Sequence, residues 1–493
     1  MNNWRPKQSD LKRYPHFDQV LSLKRIEAIV TDPIQVAQNS FFPLIRYSKG
    51  WQPFRKEGDK RPKPKQRPIR YAARRDAYIF SYYRSLLSEK YEAELERLGI
   101  SHCPIAYRRL LTIEKCPRGK CNIHFANDAF QHIRDLGDCS VITLDISSYF
   151  ESLDHGKLKA LWCRILGVSR LPDDHFKVFE AITKYACVDK HLAYERLGYY
   201  GQKKITKNGK PIMGYLIPFE SVPTQLCSPY DFRQKILGEN GMYPSLIEKN
   251  EDMWGIPQGA PISDLLANLY LIDFDAEMNG KAVDSGGKYF RYSDDIILIL
   301  PKGSKEAISV MQDITERISS YGEKLIIKPE KSTIHYYERR GDRQIFSRIL
   351  GTQGAQGIEY LGFRFDGKNV YLRDSTLSSL HRKIAFAARS YAEATVRRYP
   401  DKDYNSLRTI FDFESFSKKF GRVEEFEPSL SYKKWTFWTY VMRSVEVFGP
   451  YGKTIHGQMK RLRSRTRHRV DLELQKALQR KAKREATSGV SGS

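Results

Sequence analysis

Three aspartates stand where chemistry could be done. Asp145 closes an apolar run, Ser140–Leu144 (SVITL), and Asp294-Asp295 follow Ser293 between two more, Tyr289–Tyr292 and Ile296–Leu300. The first run, apolar on both faces, reads as a central strand. The second pattern reads as a hairpin with carboxylates at its tip. Two adjacent carboxylates repel each other unless a cation intervenes. Mg²⁺ takes oxygen ligands and keeps several waters, so a few carboxylates and substrate phosphates suffice to hold it. Two such ions, about 3.5–4 Å apart, serve the attacking and leaving oxygens of a phosphoryl transfer. Positioning and charge neutralisation do most of the catalysis in that reaction. The plainer alternatives are a turn residue or helix cap at Asp145 and a solvated turn at Asp294-Asp295.

The surrounding patterns must carry these groups. Lys49–Lys65 (KGWQPFRKEGDKRPKPK) is a basic loop, and Pro68–Leu98 turns helical. Leu158–Leu166 and Phe176–Cys187 read as helices, and Ile262–Met278 has a helical apolar period. Tyr194–Trp254, rich in Gly, Pro, Lys and Tyr, reads as hairpins and loops inserted between two core elements. Past Gly367 a helix is expected over Thr376–Arg398, with Asp374 or Ser375 as N-cap and Pro400 beyond its end. The last element, Met459–Glu485, holds eleven Lys/Arg. As a helix it would spread Arg461, Arg463, Arg465, Arg467 and Arg469 around most of its circumference, so it is not expected to lie flat on a core. RNA would satisfy all its sides; a solvated tail is the alternative.

The 493 residues allow two or three domains, and 41% hydrophobic with 29% charged residues is a globular balance. Apolar runs stop at about five residues, as in Ile296–Leu300, against the ~20 a bilayer helix needs. With no apolar leader at the N-terminus, a cytoplasmic location without membrane partner is expected. Seven scattered cysteines argue against a disulfide framework. The spacing of Cys116, Cys121 and His124 is wrong for a paired zinc site, so idle thiols are the better reading. Eighty-three Lys+Arg against 58 Asp+Glu leave a charge of +25, a long-range attraction for polyanions and for nucleic acid above all.

The hairpin FRYSDDIILIL resembles the YxDD box of reverse transcriptases, and VITLDISSYFESLDH resembles their preceding catalytic motif. WGIPQGAPISDLLANLYLIDFD is similar to their PQG segment, LIIKPEKSTI to the following lysine motif and EYLGFRF to the primer-gripping hairpin. KQRPIRYAARRDAYIF and IAYRRLL are similar to their fingers motifs. All seven stand in order over Lys65–Phe365, about three-fifths of the chain. RYPHFD, KCNIHFANDAF and DISSYFESLDH most resemble the bacterial defence-associated, abortive-infection group, related to group II intron and retron enzymes. Ser293 departs from the Ala usual in the intron and retron enzymes, and the stretch between His155 and Gly255 is longer than the simplest enzymes need.

The resemblance implies an α+β right-hand polymerase. Residues 1–75 would be an N-terminal extension with a basic fingers loop, 76–366 fingers and palm with an insertion at about 190–254, and 367–493 a helical thumb with a basic RNA-binding region. It implies Asp145, Asp294 and Asp295 as catalytic ligands of two Mg²⁺, with Mn²⁺ as the alternative ion. Phe150 would be the steric gate against a 2′-hydroxyl; a core aromatic is the reading without the resemblance. Gln258 and Gly259 would lie under the incoming nucleotide. Arg67, with Lys65 or Arg70, would meet the triphosphate, and Lys331 would serve the pyrophosphate. The implied activity is RNA-directed DNA synthesis from dNTPs in antiphage defence, with a non-coding RNA as template, primer or scaffold. Template-independent or protein-primed synthesis remains open, as does an idle maturase-like RNA-binding protein, which the intact carboxylates and PQG segment speak against. A homo-oligomer is left open.

Overall fold

A computed structural model describes residues 4–8, 11–51, 65–112, 119–205, 211–341, 343–352, 354–420 and 436–489. Its centre is an antiparallel five-stranded sheet in the order Arg343–Leu350, Thr333–Arg340, Cys139–Asp145, Asp295–Leu300, Lys288–Tyr292. Alternation explains why its middle strands are apolar throughout. Ile142, Leu144, Ile296, Leu298 and Leu300 enter one core with the helices Arg74–Arg97, His155–Leu166, Ser263–Tyr270 and Ser304–Arg317. Val141, Ile297, Ile299 and Tyr337 enter another. That second core is closed by the helix Asn122–Leu136 and a small sheet of Ile358–Tyr360, Phe363–Phe365 and Val370–Leu372. Both faces are covered, so only the strand ends can meet a substrate.

A second sheet has the order Lys65–Tyr71, Leu44–Trp51, Ala186–Asp189, Glu248–Lys249. Here the expected elements shift. Pro68 lies in a strand, not a helix; the strand is at the sheet's edge, where a residue without N–H is tolerated, and the helix starts at Arg74. The helix expected over Phe176–Cys187 ends at Thr183, because Cys187 and Val188 pair in parallel with Leu44 and Ile45. Ile262–Met278 breaks at Leu271 into Ser263–Tyr270 and Ile272–Asp284. Within the long insertion, a hairpin (Tyr200–Ile205 with Pro211–Tyr215) accompanies a small core of Ala193, Tyr194, Val222, Leu226 and Ile236.

The C-terminal part corrects one expectation outright. Leu462–Gly489 is a helix that packs along the helix Asp374–Arg398. Leu462, Thr466, Val470, Leu474 and Ala477 are buried, a stripe at helical spacing that the intervening arginines disguise in the sequence. Ala388, Ala392, Val396, Phe413 and Phe416 complete that cluster. The N-cap of Asp374–Arg398 is Arg373; Asp374 instead places its carboxylate in the first turn, against the positive end of the helix. Among the described residues no helix is long and apolar enough to cross a membrane. The architecture is α+β.

Candidate active site

In the sheet register Asp145 stands directly opposite Asp295. Antiparallel partners share a face, with Cβ atoms about 4.5–5.5 Å apart. Tyr292 pairs with Asp295, so Ser293-Asp294 is a two-residue turn, with Ser293 left-handed at φ +60°. The Asp294 carbonyl accepts from the Ile146 N–H at 3.0 Å, which ties the turn to the end of the Asp145 strand. All three carboxylates therefore reach one end of the central sheet.

Asp145 is 6% exposed and held by two ammonium groups, Lys328 Nζ on Oδ1 at 2.8 Å and Lys331 Nζ on Oδ2 at 2.5 Å. Lys331 thus meets Asp145 directly; Lys328, in the same LIIKPEKSTI segment, has no role in the sequence reading. Burial pushes the Asp295 carboxyl up to about 7, Asp294 and Asp145 add to the shift, and Lys331 and Arg373 oppose it. Three neighbouring carboxylates, of which Asp295 has no ammonium of its own among the described residues, offer only hard oxygens and suit a divalent cation such as Mg²⁺. Among the described residues, however, no three His, Cys, Asp or Glu side chains already converge as a metal-holding group. Asp145 is turned onto its lysines, so binding by all three carboxylates requires it to exchange a lysine for the ion.

Beside this end, three segments are laced together. The Arg70 N–H donates to the Gln258 carbonyl at 3.0 Å, and Gly259, at φ +115°, lies so close that a Cβ would sit 2.5 Å from the Arg70 oxygen. The Ile256 N–H donates to the Phe150 carbonyl at 2.7 Å. Phe150 is half-buried in the turn Tyr149–Glu151, with its ring 6.0 Å from that of Tyr149. The Arg70 guanidinium lies 3.4 Å from Glu151 and over the Tyr185 ring, so it is already engaged, whereas Arg67 on the same strand is exposed. Lys65 opens the strand, but its side chain is outside the described residues.

The basic C-terminal residues lie elsewhere. Arg461, Arg463 and Arg465 are exposed; Arg463 pairs with Glu414, Arg467 covers the Phe413 ring at 3.7 Å, and Arg469 pairs with Glu473 at 3.1 Å. These partners belong to the C-terminal helical cluster. Cys121 and His124 cap the helix Asn122–Leu136, with Sγ 3.4 Å from Nδ1, and Cys116 is outside the described residues.

Two features of the site escaped the sequence reading. Tyr107, left-handed at φ +61°, has its ring 6.3 Å from that of Tyr292, and Asp294 is among the charges raising its phenol pKa, after burial as the main cause. Behind the hairpin, Arg291 forms a fully buried ion pair with Asp275. The available signal was a charged residue in an otherwise buried strand, since Arg is rarely buried unless paired.

Residues 241–365, about a quarter of the chain, match the reverse transcriptase (RNA-dependent DNA polymerase) family. No curated protein matches the sequence significantly. Apo telomerase from Candida Tropicalis is similar over 93% of this chain and 68% of that one, at 12% identity and a TM-score of 0.36. The form truncated from its C-terminal domain covers 73% of this chain at 11% identity, with a TM-score of 0.33. Telomerase from Candida albicans with the TWJ fragment of telomeric RNA covers 86% at 9% identity, with a TM-score of 0.36. This chain spans 63% and 64% of those last two proteins, and TM-scores of this size are too low to establish a common fold. The matched segment holds Gln258, Gly259, Asp294, Asp295 and Lys331, and residues 241–365 are accordingly a reverse transcriptase domain.

Proposed function

We propose that the chain is an RNA-directed DNA polymerase that adds dNTPs to a 3′ end by two-metal phosphoryl transfer. The observation that supports this best is the register of Asp145 on Asp295 with Asp294 in the adjoining turn, two of the three lying in the reverse transcriptase segment. These carboxylates would hold the two Mg²⁺. When bound, the ions would supply Lewis acidity to the attacking hydroxyl and neutralise charge on the phosphates. The chain's own groups do the rest. Arg67 offers an exposed guanidinium whose fork suits phosphate oxygens. Gln258-Gly259 brings bare backbone beneath the base and sugar, and Phe150 fills the volume a 2′-hydroxyl would need. Lys331, whose ammonium stands on Asp145, would serve the leaving pyrophosphate.

The right-hand arrangement follows from the same reading, with fingers and palm over 76–366 and a thumb over 367–493. RNA template and DNA product are the partners that the +25 charge and the exposed Arg461, Arg463 and Arg465 would attract. The resemblance of KCNIHFANDAF and DISSYFESLDH to defence-associated enzymes supports a cytoplasmic antiphage role with a structured non-coding RNA. Primer extension on an RNA template, with dNTPs or rNTPs and with or without Mg²⁺, tests the activity. Absence of Mg²⁺-dependent dNTP incorporation refutes it, and sequencing the copurifying nucleic acid tests the RNA partner.

A further inference from the structure

We infer that Arg291 is a positioning residue, which with Asp275 holds the Ser293-Asp294 turn in the shape that lets the carboxylates take up metal; the inference rests on the polymerase reading above. Arg291 and Asp275 are both 0% exposed. Every N–H of the guanidinium is used. Nε donates to Asp275 Oδ1 at 2.7 Å, and Nη2 donates to Asp275 Oδ2 at 2.6 Å and to the Asn268 carbonyl at 3.2 Å. Nη1 donates to Asn268 Oδ1 at 3.4 Å and to the Ser293 carbonyl at 3.1 Å. Asp275 takes a further hydrogen bond from the Tyr289 hydroxyl at 2.7 Å.

That last guanidinium bond is the one with consequences for chemistry. Ser293 is the residue before the two aspartates and has φ +60°, which costs a non-glycine residue about 1–2 kcal/mol. Such a conformation persists only where its surroundings over-determine it. Here Arg291 grips the Ser293 carbonyl from one side while Ile146 grips the Asp294 carbonyl from the other. Without the Arg291 grip Ser293 relaxes, and the carboxylates that follow it turn away from Asp145. The same node reaches the Tyr107 segment. The Arg291 backbone exchanges bonds with Cys103 and Ile105 at 2.9 Å each, and Asn268 Nδ2 donates to the Ala106 carbonyl at 2.7 Å.

Stability alone does not call for this pair, because well-packed apolar residues commonly replace a buried ion pair at no cost. Geometry does call for it. Lysine, a point charge with three donors, cannot reproduce a planar fork of five.

Two variants carry the test, Arg291→Lys and the neutral pair Arg291→Gln with Asp275→Asn, which leaves no unpaired buried charge. RNA binding and thermal melting report whether each is folded. In a folded variant, kcat for dNTP addition should fall about 10–100-fold, as for other groups that orient metal ligands. The Mg²⁺ concentration for half-maximal activity should rise, with KM for dNTP unchanged. Direct titration of the nucleic-acid-free protein with Mn²⁺ should show the same weakening. A folded variant with wild-type kcat and wild-type Mn²⁺ affinity overturns the inference. If the wild type itself incorporates no dNTP, the polymerase reading fails instead, and the Mn²⁺ titration still decides what Arg291 does.

Discussion

Gly259→Ala is the substitution whose effect follows most directly from backbone geometry. Gly259 has φ +115°, a region essentially reserved for glycine, and placing alanine there costs about 1–3 kcal/mol. The new Cβ would stand 2.5 Å from the Arg70 carbonyl oxygen and 3.3 Å from Ile69 Cγ2. Ordinary contact begins near ~3.5 Å, so loop and strand must part by roughly 1 Å. Backbone cannot rotate out of the way as a side chain can. The 3.0 Å bond from Arg70 N–H to the Gln258 carbonyl would then break, for about another 1 kcal/mol. Together these give about 2–4 kcal/mol, or roughly 30–1000-fold when expressed in transition-state binding. Part of it will relax into the loop, so a fall of at least about 10-fold in kcat/KM for dNTP is expected, carried mainly by KM. Gly241→Ala is the control, since Gly241 has φ +71° but nothing within 4 Å of a Cβ. It should lose about 1 kcal/mol of stability and no activity. Steady-state primer extension with both variants decides the matter. Wild-type kcat/KM in Gly259→Ala would mean that loop and strand do not form one nucleotide floor.

Asp294→Asn with Asp295→Asn should abolish Mg²⁺-dependent dNTP incorporation and leave RNA binding nearly unchanged, as read by primer extension beside filter binding. Asp295 has a folded pKa of about 7 against an ordinary 3.8, so between those values the folded form holds its proton more tightly than the unfolded form. Metal-free stability should therefore fall as pH rises from about 4 to 7, by on the order of 4 kcal/mol at 1.36 kcal/mol per unit; Asp295→Asn should remove that fall in melting curves, and added Mg²⁺ should reduce it. Replacing Arg461, Arg463 and Arg465 by Gln should flatten the log–log salt dependence of RNA binding by roughly 0.7–0.9 for each phosphate that is no longer neutralised. Leu474→Ala should instead cost about 2–5 kcal/mol of stability, because that side chain is fully buried. Phe150→Val should raise rNTP use relative to dNTP with a modest loss of activity, and an unchanged kcat/KM ratio would make Phe150 only a core aromatic.

Much of the site was legible because its elements are locally consistent. SVITL and IILIL are apolar on both faces, and the structure puts alternate residues of each into two different cores. An aspartate that closes such a strand has nowhere to go but the end of the sheet. The C-terminal helix was misjudged for the opposite reason. Its buried stripe uses Thr466 and Ala477 as well as leucine and valine, while arginines flank it and Arg467 covers the Phe413 ring. A pattern reader sees charge all round where the fold sees one narrow seam. The strand Lys65–Tyr71 was missed because its pairing with Leu44–Trp51 is non-local and Pro68 argues against a strand everywhere except at an edge.

The backbone strain around the site could not be read from residue types at all. Among the described residues four that are not glycine have left-handed φ, namely Tyr107, Ser148, Ser293 and Leu361, and each lies in or beside one of the motif segments. Each has its carbonyl held by a side chain from another position. Arg84 Nη2 holds Tyr107 at 3.0 Å, and Ser152 Oγ holds Ser148 at 3.1 Å. Arg291 Nη1 holds Ser293 at 3.1 Å, and Asn122 Nδ2 holds Leu361 at 3.0 Å. Two of the four clamps are arginines locked by a bidentate aspartate, Arg84 with Asp264 and Arg291 with Asp275. At about 1–2 kcal/mol each, the strained residues together oppose folding by an amount comparable to a small domain's net stability. No local preference of Tyr, Ser or Leu supplies that energy. It comes from the clamps, of which Asn122 reaches Leu361 from a distant segment and Arg84 and Arg291 are themselves set by Asp264 and Asp275, which is why a glycine or asparagine at these positions would have announced the turns and the residues present do not. A side-chain clamp holds its carbonyl in one orientation, whereas glycine would make the turn easy to form and equally easy to leave. A site that presents three carboxylates to the same ions, as proposed above, would gain from the first arrangement and lose from the second.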